Sequence, residues 1–395
     1  MKINDRIYLD YSASTPVDPR VLDKMLPYFN HEFGNPTSVH TFGQSAEAAV
    51  EEARQRIANL LNCSPAEIVF TSCGTESDNL ALRGAAWYAR EARGANHLLI
   101  SPVEHSAVSR TAEALAGQNG FDLEYLPVDR FGRVDPQSVQ DRLRPDTALV
   151  SVIYANNEIG TINPLPEIGA VCRAAGVPFH SDAVQAGAYL NLDVETLNVD
   201  LLSLGAHKFY GPKGVGVLYI RQGLNLVSTQ TGGSQESARR AGTHNVPYII
   251  GMAEALEIAQ HKREEAAGQI AELRDGMVAR ILADVPGAQL TGHPVQRLPN
   301  HASFVFPGVD GNALLMMLDV DGFACSSGSA CKTGSPEPSD VLLALGMEPA
   351  LALGSLRVTL GRWTDKQQIE EFTNQLPKVI QSNRALYQPQ GFQTR

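Results

Sequence analysis

Between Ala46 and Asn245 the sequence alternates between helical and extended hydrophobic patterns, and no other feature limits the fold so tightly. Ala46–Leu61 is rich in Ala, Glu and Arg with apolar positions at helical spacing, and Glu67–Phe70 follows as a short buried strand. Glu76–Arg90 returns to helix, and His97–Ser101, Leu123–Val128 and Ala148–Ile153 read as strands. Pro164–Ala175 opens on proline and stops before Gly176, which are helix boundary signals. Val177–Ser181, Leu201–Leu204 and Gly216–Ile220 are strands again. This alternation predicts an α/β fold with helices on both faces of a mostly parallel sheet. Long helices fill Tyr248–Asp284 and lead to a second unit, about Gly287–Tyr387. Its interrupted strands (Ala302–Phe306, Ser355–Leu360) and a helix from Asp365 predict a smaller α+β domain. No repeat or low-complexity tract is present, and the Gln-rich tail after Tyr387 is expected to fray.

A chain of 395 residues is long enough for one large core and a smaller domain. Its net charge of -11 argues against broad nucleic-acid or membrane-surface binding, which needs a basic face. No apolar run is long enough to span a bilayer, and the start reads as a polar strand with no signal peptide. The five cysteines (Cys63, Cys73, Cys172, Cys325, Cys331) are odd in number and widely spread. They predict reduced thiols in a cytoplasmic protein. Cys325 and Cys331 lack the spacing and the histidine partner of a zinc site, so no metal is expected.

Two features point to chemistry. Cys331 lies in Ala324-Cys325-Ser326-Ser327-Gly328-Ser329-Ala330-Cys331-Lys332-Thr333-Gly334, where Gly and Ser make the backbone permissive, so that a thiol carried there can travel. Lys208, in Ala206-His207-Lys208-Phe209-Tyr210-Gly211, follows the strand Leu201–Leu204, and ligands of open α/β sheets gather at the carboxyl ends of strands. A lysine there is either solvated or desolvated enough to form an imine with an aldehyde. Asp182 ends the strand Val177–Ser181 and suits the pyridine nitrogen of pyridoxal phosphate, although a helix cap is the plainer role. Gln185, one turn on, is within reach of the ring hydroxyl. Thr71-Ser72-Cys73-Gly74-Thr75-Glu76 joins a strand to a helix and can bind an anion with free backbone N–H groups. His105, after His97–Ser101, either stacks on a ring or is structural. Asn157 follows another strand and offers an amide to cofactor or substrate. Arg357, within a strand, fits a carboxylate or a structural ion pair, and Arg362 competes for the same role.

Together these residues make the chain resemble the cysteine desulfurases of the NifS/IscS type, in the class V aminotransferase group of fold-type-I pyridoxal phosphate enzymes. The resemblance runs from Tyr8-Leu9-Asp10-Tyr11-Ser12-Ala13-Ser14-Thr15-Pro16 to Leu360-Gly361-Arg362. Its motifs include Gly34-Asn35-Pro36, Gly74-Thr75-Glu76-Ser77, Glu104-His105, Asn156-Asn157-Glu158-Ile159-Gly160, Asp182-Ala183-Val184-Gln185, His207-Lys208 and Ser326-Ser327-Gly328-Ser329-Ala330-Cys331. The last of these, with Glu337-Pro338-Ser339, is similar to the long-loop group of the family.

The resemblance implies a large domain over residues 15–262 with a mostly parallel, mixed seven-stranded sheet flanked by helices. A small α+β domain would be built from 1–14 and 263–395 and would carry the catalytic-cysteine loop at about 324–336. It implies that Lys208 holds pyridoxal 5'-phosphate, Asp182 pairs with its ring nitrogen, Gln185 meets the ring hydroxyl and His105 stacks on the ring. Gly74, Thr75 and His207 belong to the phosphate site, and Thr243 reaches the phosphate of a neighbouring chain in a homodimer. Asn35, Asn157 and Arg357 hold L-cysteine, His105 shuttles a proton, and Cys331, not Cys325, takes the sulfur for delivery to an acceptor protein such as an iron–sulfur scaffold. Selenocysteine lyase, aminotransferase or kynureninase-like activity, and a non-catalytic recruiting scaffold are the competing readings. Three positions depart from the family pattern: Gly205 where a phosphate-binding serine is usual, Cys73 in the phosphate turn, and Lys332, a cation that favours a Cys331 thiolate.

Overall fold

The computed structural model of the protein describes residues 2–3, 6–328 and 337–387. Its centre is a seven-stranded sheet made of β1 (Ile68–Thr71), β2 (His97–Ile100), β3 (Asp122–Tyr125), β4 (Thr147–Ser151), β5 (Phe179–Asp182), β6 (Leu201–Gly205) and β7 (Gly216–Ile220), in the order β1-β7-β6-β5-β4-β2-β3. Neighbours from β6 through β3 are parallel, and β7 runs antiparallel to both β6 and β1. The expected mixed, mostly parallel sheet is therefore present.

The strands are apolar on both faces because both are covered. Ile68, Phe70, Leu202, Leu204, Val217 and Tyr219 join one core with helices α1 (Thr41–Leu61) and α5 (Val246–His261). Val69, Leu201, Leu218 and Ile220, one residue out of phase, join a second core with α2 (Gly74–Arg93) and α3 (Ser106–Asn119). Period-two alternation thus feeds two helical layers. The sheet also takes the helix α4 (Leu165–Ala175). Strand β3 is the exception: it lies at the sheet edge and is only partly buried. The extended pattern predicted to run to Val128 stops at Tyr125, because its partner β2 ends at Ile100, opposite Tyr125; Val128 makes an isolated bridge to Val134. Helix α1 starts at Thr41, five residues before the Ala-rich stretch, because the His40 ring accepts from the Gly43 N–H and supplies its cap.

The long helical region divides at Lys262 into α5 and α6 (Arg263–Asp284). Beyond it, β8 (Gln289–Leu290), β9 (His301–Val305) and β10 (Ser355–Thr359) form an antiparallel sheet, and α7 (Lys366–Tyr387) packs against α6. A third small sheet joins Lys2–Ile3, Arg6–Tyr8 and Phe323–Ala324. Gly361 sits where an added Cβ would lie 2.0 Å from the Tyr11 ring, so only glycine lets the segment after β10 pass the N-terminal segment.

One buried ion pair holds a strained segment next to the site. Glu236, Ser237 and Ala238 adopt left-handed backbone angles (φ 51, 55 and 63°) that cost each residue roughly 1–2 kcal/mol. The Glu236 carboxylate, 1% exposed, takes two 2.8 Å hydrogen bonds from Arg54 and one each from the Phe70 N–H and the His244 ring. Burial opposes its ionisation, but these donors outweigh burial and hold the carboxyl down at about 2. Because the folded value lies below the ordinary one, the pair stabilises the fold above pH 4.5, and that contribution is lost as pH falls from about 4.5 to about 2. Glu236→Gln should cost about 3 kcal/mol in urea unfolding at pH 7, since it strands a buried guanidinium. The deficit should shrink when the same measurement is repeated near pH 3, where the unfolded chain's carboxyl is protonated and the pair therefore contributes less to stability.

Candidate active site

The carboxyl ends of β4, β5 and β6, and the turn after β1, open into one cavity of about 320 Å³. Its wall includes Gly74, Thr75, His105, Asn157, Asp182, Gln185, His207, Lys208 and Arg357. Residues spread over nearly 300 positions of sequence thus meet where open α/β sheets bind ligands.

Lys208 sits in a short 3-10 turn, Ala206–Lys208, immediately after β6. Its Nζ donates to the Ala13 carbonyl at 2.8 Å and to the Ser12 carbonyl. Burial, and then the nearby Arg357 charge, pull its ammonium down to about 8. Gln185 donates to the same Ser12 carbonyl at 2.9 Å. Asp182, the last residue of β5, is buried and accepts from the Val184 N–H at 2.9 Å, so it caps the following turn and faces the cavity at once. Burial and the adjacent Asp78 carboxyl raise its pKa.

His105 caps α3: its Nδ1 accepts from the Ala107 N–H at 3.1 Å, which leaves the proton of a neutral ring on Nε2. Gly74 opens α2, and a Cβ there would lie 2.6 Å from Val184 Cγ2, so the turn needs glycine to pack against the segment after β5. At Gly205 an added Cβ would meet the Gly74 nitrogen at 3.4 Å, a distance that tolerates a side chain. Next to it the His207 Nδ1 lies 3.3 Å from Ser14 Oγ, and burial pulls that ring down to about 4, so it is neutral at pH 7. Glu76, in the first turn of α2, pairs with Arg240 at 2.7 Å and accepts from the Ser72 N–H, which braces the turn.

Arg357 makes the structural ion pair that its sequence left open as one of two roles, and it also lines the cavity. One guanidinium nitrogen donates to Asp10 at 2.8 Å and another to the Asn157 carbonyl at 3.0 Å, while its buried Nε has no partner among the described residues. Arg362 lies outside the cavity wall, pairs with Asp18 and stacks on the Tyr210 ring at 4.3 Å. Asn35 and Thr243 are exposed and do not line the cavity; the Asn35 side-chain Oδ1 accepts from the Thr37 N–H at 3.0 Å. Cys331 and Lys332 lie outside the described residues. The half-buried Cys325 thiol is pushed well up by desolvation and then by Asp10, which makes it a poor nucleophile.

Sequence reasoning passed over Asp78 and His180. Asp78 is buried on α2, one helical turn beyond Thr75, and its spacing from the phosphate turn was the available signal. His180 is buried on β5, two residues before Asp182. Single ligand-type atoms of Asp78, His105 and Asp182 lie within 4.8 Å of one another. Two full negative charges at that separation would repel by about 3 kcal/mol at an effective dielectric near 20.

The chain matches the Aminotransferase class-V family over residues 7–372 and belongs to that family. It is 44% identical over 381 residues to the cysteine desulfurase IscS of Methanosarcina thermophila, covering 96% of this chain and 93% of the relative. Among solved structures, a NifS-like protein superposes with a TM-score of 0.89 at 35% identity, over 95% of this chain and all of that one. SspA, solved in complex with cysteine, gives 0.80 at 35% identity over 91% of this chain and 99% of its own.

The depressed Lys208 value gives a direct test. In cofactor-free protein, Lys208 should be acylated by a limiting amine-reactive reagent with half-maximal rate near pH 8, read by peptide mass spectrometry. Surface lysines titrate about two units higher; an equal profile for Lys208 would contradict its desolvation.

Proposed function

We propose that the chain is a pyridoxal-phosphate-dependent cysteine desulfurase that converts L-cysteine to L-alanine and passes the sulfur to Cys331 as a persulfide. The observation that carries this reading is the meeting of Lys208, Asp182, Gln185 and His105 with Arg357 and Asn157 in one cavity. The relatives named cysteine desulfurase IscS, at 43–47% identity over most of the chain, support the same activity.

The cavity residues fit the cofactor. A lysine pulled down to about 8 supplies a neutral amine at modest cost, and a buried carboxylate suits a ring nitrogen cation. Gly74, Thr75 and His207 offer a phosphate the amino end of a 20-residue helix, backbone N–H groups and a neutral imidazole. Lys208 would hold the cofactor through Nζ, Asp182 would face its ring nitrogen, Gln185 its ring hydroxyl and His105 its ring. When bound, pyridoxal phosphate supplies an electron sink for negative charge at the substrate Cα.

The protein's own groups then do the following. Arg357 and Asn157 orient the substrate carboxylate, with Asn35 contributing from its exposed loop. Lys208 Nζ takes the Cα proton, and His105 Nε2 moves a proton near the leaving sulfur. The Cys331 thiolate attacks that sulfur: the substrate C–S bond breaks, an S–S bond forms on Cys331, and the carbon skeleton leaves as alanine after gaining protons. A sulfur-acceptor protein, for example an iron–sulfur scaffold, then takes the sulfur from Cys331.

The functional form is a homodimer. Phe29, Phe33, Val39 and Phe42 are 53–90% exposed along one segment, and Phe33 stacks on Phe42 at 5.7 Å, an apolar surface that a second copy would cover. Thr243 is exposed and outside its own chain's cavity, as expected of a residue that reaches the partner's phosphate. A boundary between large (15–262) and small (1–14 and 263–395) domains fits the break at Lys262 between α5 and α6. No described helix is long and apolar enough to cross a membrane, and five cysteines suit a reducing cytoplasm.

With pyridoxal phosphate, L-cysteine and a thiol reductant, the protein should release alanine and sulfide in equal amounts. Cys331→Ser should keep the cofactor absorbance and lose sulfide release by at least about a hundredfold. Sulfide at the wild-type rate from that variant would overturn the thiol's role, and alanine formation confined to selenocysteine would move the substrate to selenium. Gly205→Ser should be tolerated and should tighten pyridoxal phosphate binding by about threefold to tenfold, the worth of one added hydrogen bond. Fluorescence titration of the cofactor-free protein reads this directly.

A further inference from the structure

Beneath Asp182 lies a second carboxyl that the proposed reaction does not use. Asp78 is 1% exposed, and its Oδ1 has no hydrogen-bond partner among the described residues. The closest basic group is the fully buried His180 ring, whose Nε2 stands 3.5 Å from that oxygen. This ring is already engaged: Nδ1 meets Ser151 Oγ at 2.8 Å and Nε2 meets Ser203 Oγ at 3.1 Å. Burial pulls it down to about 4, so it brings no positive charge to Asp78. Facing Asp78 are therefore His180 and Asp182 from β5, Ser203 from β6, and Glu104 and His105 from the segment after β2. No cation touches it among the described residues; Lys208 acts on Asp182 instead.

We propose that Asp78 is a positioning residue that keeps a proton under Asp182, so that the buried pair carries one negative charge and that charge resides on Asp182. This rests on the reading of Asp182 as the partner of the ring nitrogen. The two carboxyls are not equivalent. Asp182 accepts from the Val184 N–H and has His105 and Lys208 on its side, all of which favour its anion. Asp78 meets the Ser203 hydroxyl, the neutral His180 ring and the Asp182 and Glu104 carboxyls, and burial raises its pKa with Ser203 as the opposing partner. A carboxylic acid at Asp78 leaves Asp182 free of a repelling neighbour while adding no cation that would compete with a ring nitrogen.

The test is difference infrared spectroscopy of the full-length protein, with and without pyridoxal phosphate, between pH 6 and 9. Wild-type protein should show a protonated-carboxyl carbonyl band at pH 6.5 that disappears in Asp78→Asn and persists in Asp182→Asn. Glu104 and Glu158, also pushed up by burial, contribute bands that remain in Asp78→Asn and are assigned with Glu104→Gln and Glu158→Gln. Ser203→Ala, which keeps Asp78, should shift the Asp78 band in frequency and serves if Asp78→Asn fails to fold. Asp78→Asn should weaken pyridoxal phosphate binding by no more than about threefold, against tenfold or more for Asp182→Asn, because only the latter removes the charge. A band lost in Asp182→Asn but kept in Asp78→Asn would overturn the proposal, as would a wild-type spectrum with no Asp78-dependent band. A divalent cation retained through purification on Asp78, His105 and Asp182 would overturn it as well. If Asp182→Asn binds pyridoxal phosphate like the wild type, the ring-nitrogen reading fails, while the infrared band still reports where the proton sits.

Discussion

The active site depends on a short piece of chain, Leu9 to Thr15, wedged between the central sheet and the second half of the molecule. On one side the Leu9 N–H donates to Ala324, Leu9 accepts from the Thr359 N–H, and the Ser12 N–H donates to the Thr359 hydroxyl. On the other side the Thr15 N–H and hydroxyl both donate to the His207 carbonyl, and the Tyr210 N–H donates to Thr15 Oγ1. The carbonyls of Ser12 and Ala13 that remain point at the Lys208 ammonium. A residue at the carboxyl end of β6 therefore finds its hydrogen-bond acceptors in the first fifteen residues, and the two ends of the chain must be in place before the lysine is. Tyr210 shows the strain of this arrangement: it sits at φ 69°, where a bulky residue is rarely found, so that its N–H can reach Thr15.

A single physical cause, burial beside a small cavity, sets most of the site's electrostatics. It lowers the Lys208 ammonium and the His207 and His180 rings, and it raises Asp78, Asp182 and Glu104. Each shift favours the neutral form, as desolvation must. What separates the groups is their partners. Glu236, equally buried, is held as a carboxylate because a guanidinium grips both its oxygens. Among the described residues Lys208 is left with two carbonyls and no carboxylate bond, so it remains close to losing its proton near neutral pH. A lysine given a salt bridge here would have been a fixed cation and of little use as a base.

The large sheet was legible because its strands are continuous apolar runs punctuated by Gly, Pro and polar turns, and two helical layers require that pattern. The site was legible wherever a motif lies at a strand end: Lys208 after β6, Asp182 at the end of β5 and Asn157 after β4 all arrive at one cavity. Strand order and the reversed direction of β7 were not readable from periodicity, since both faces of β7 are buried and its pattern is indistinguishable from that of a parallel strand. Asp78 was passed over because a helical acid one turn past a phosphate turn looks solvated; only the crossing of α2 over β5 and β6 reveals that it is buried. The choice between Arg357 and Arg362 turned on tertiary placement in the same way: both are arginines near the end of β10, but Asp18 and the Tyr210 ring hold Arg362 outside the cavity.

Arg357 also links the cavity to the start of the Ser/Gly-rich stretch. Its backbone exchanges two hydrogen bonds with Ser326, at 2.7 and 3.3 Å, which fixes the start of the Ser/Gly-rich stretch against β10. Its side chain, from the same residue, holds the Asn157 carbonyl and Asp10. Next to Asn157, Glu158 accepts from Ser339, on the far side of that stretch, and a Cβ at Gly328 would come within 2.6 Å of the Glu158 carboxylate. Both described flanks of the cysteine segment are thus tied to the two adjacent residues, Asn157 and Glu158, that follow β4. Both flanks are thereby anchored beside the cavity wall that Asn157 and Arg357 help to form. Two positions tie the segment to the cavity: at Gly328 a side chain would have to displace the Glu158 carboxylate, and at Arg357 loss of the side chain would free the Asn157 carbonyl while the backbone bonds to Ser326 remain.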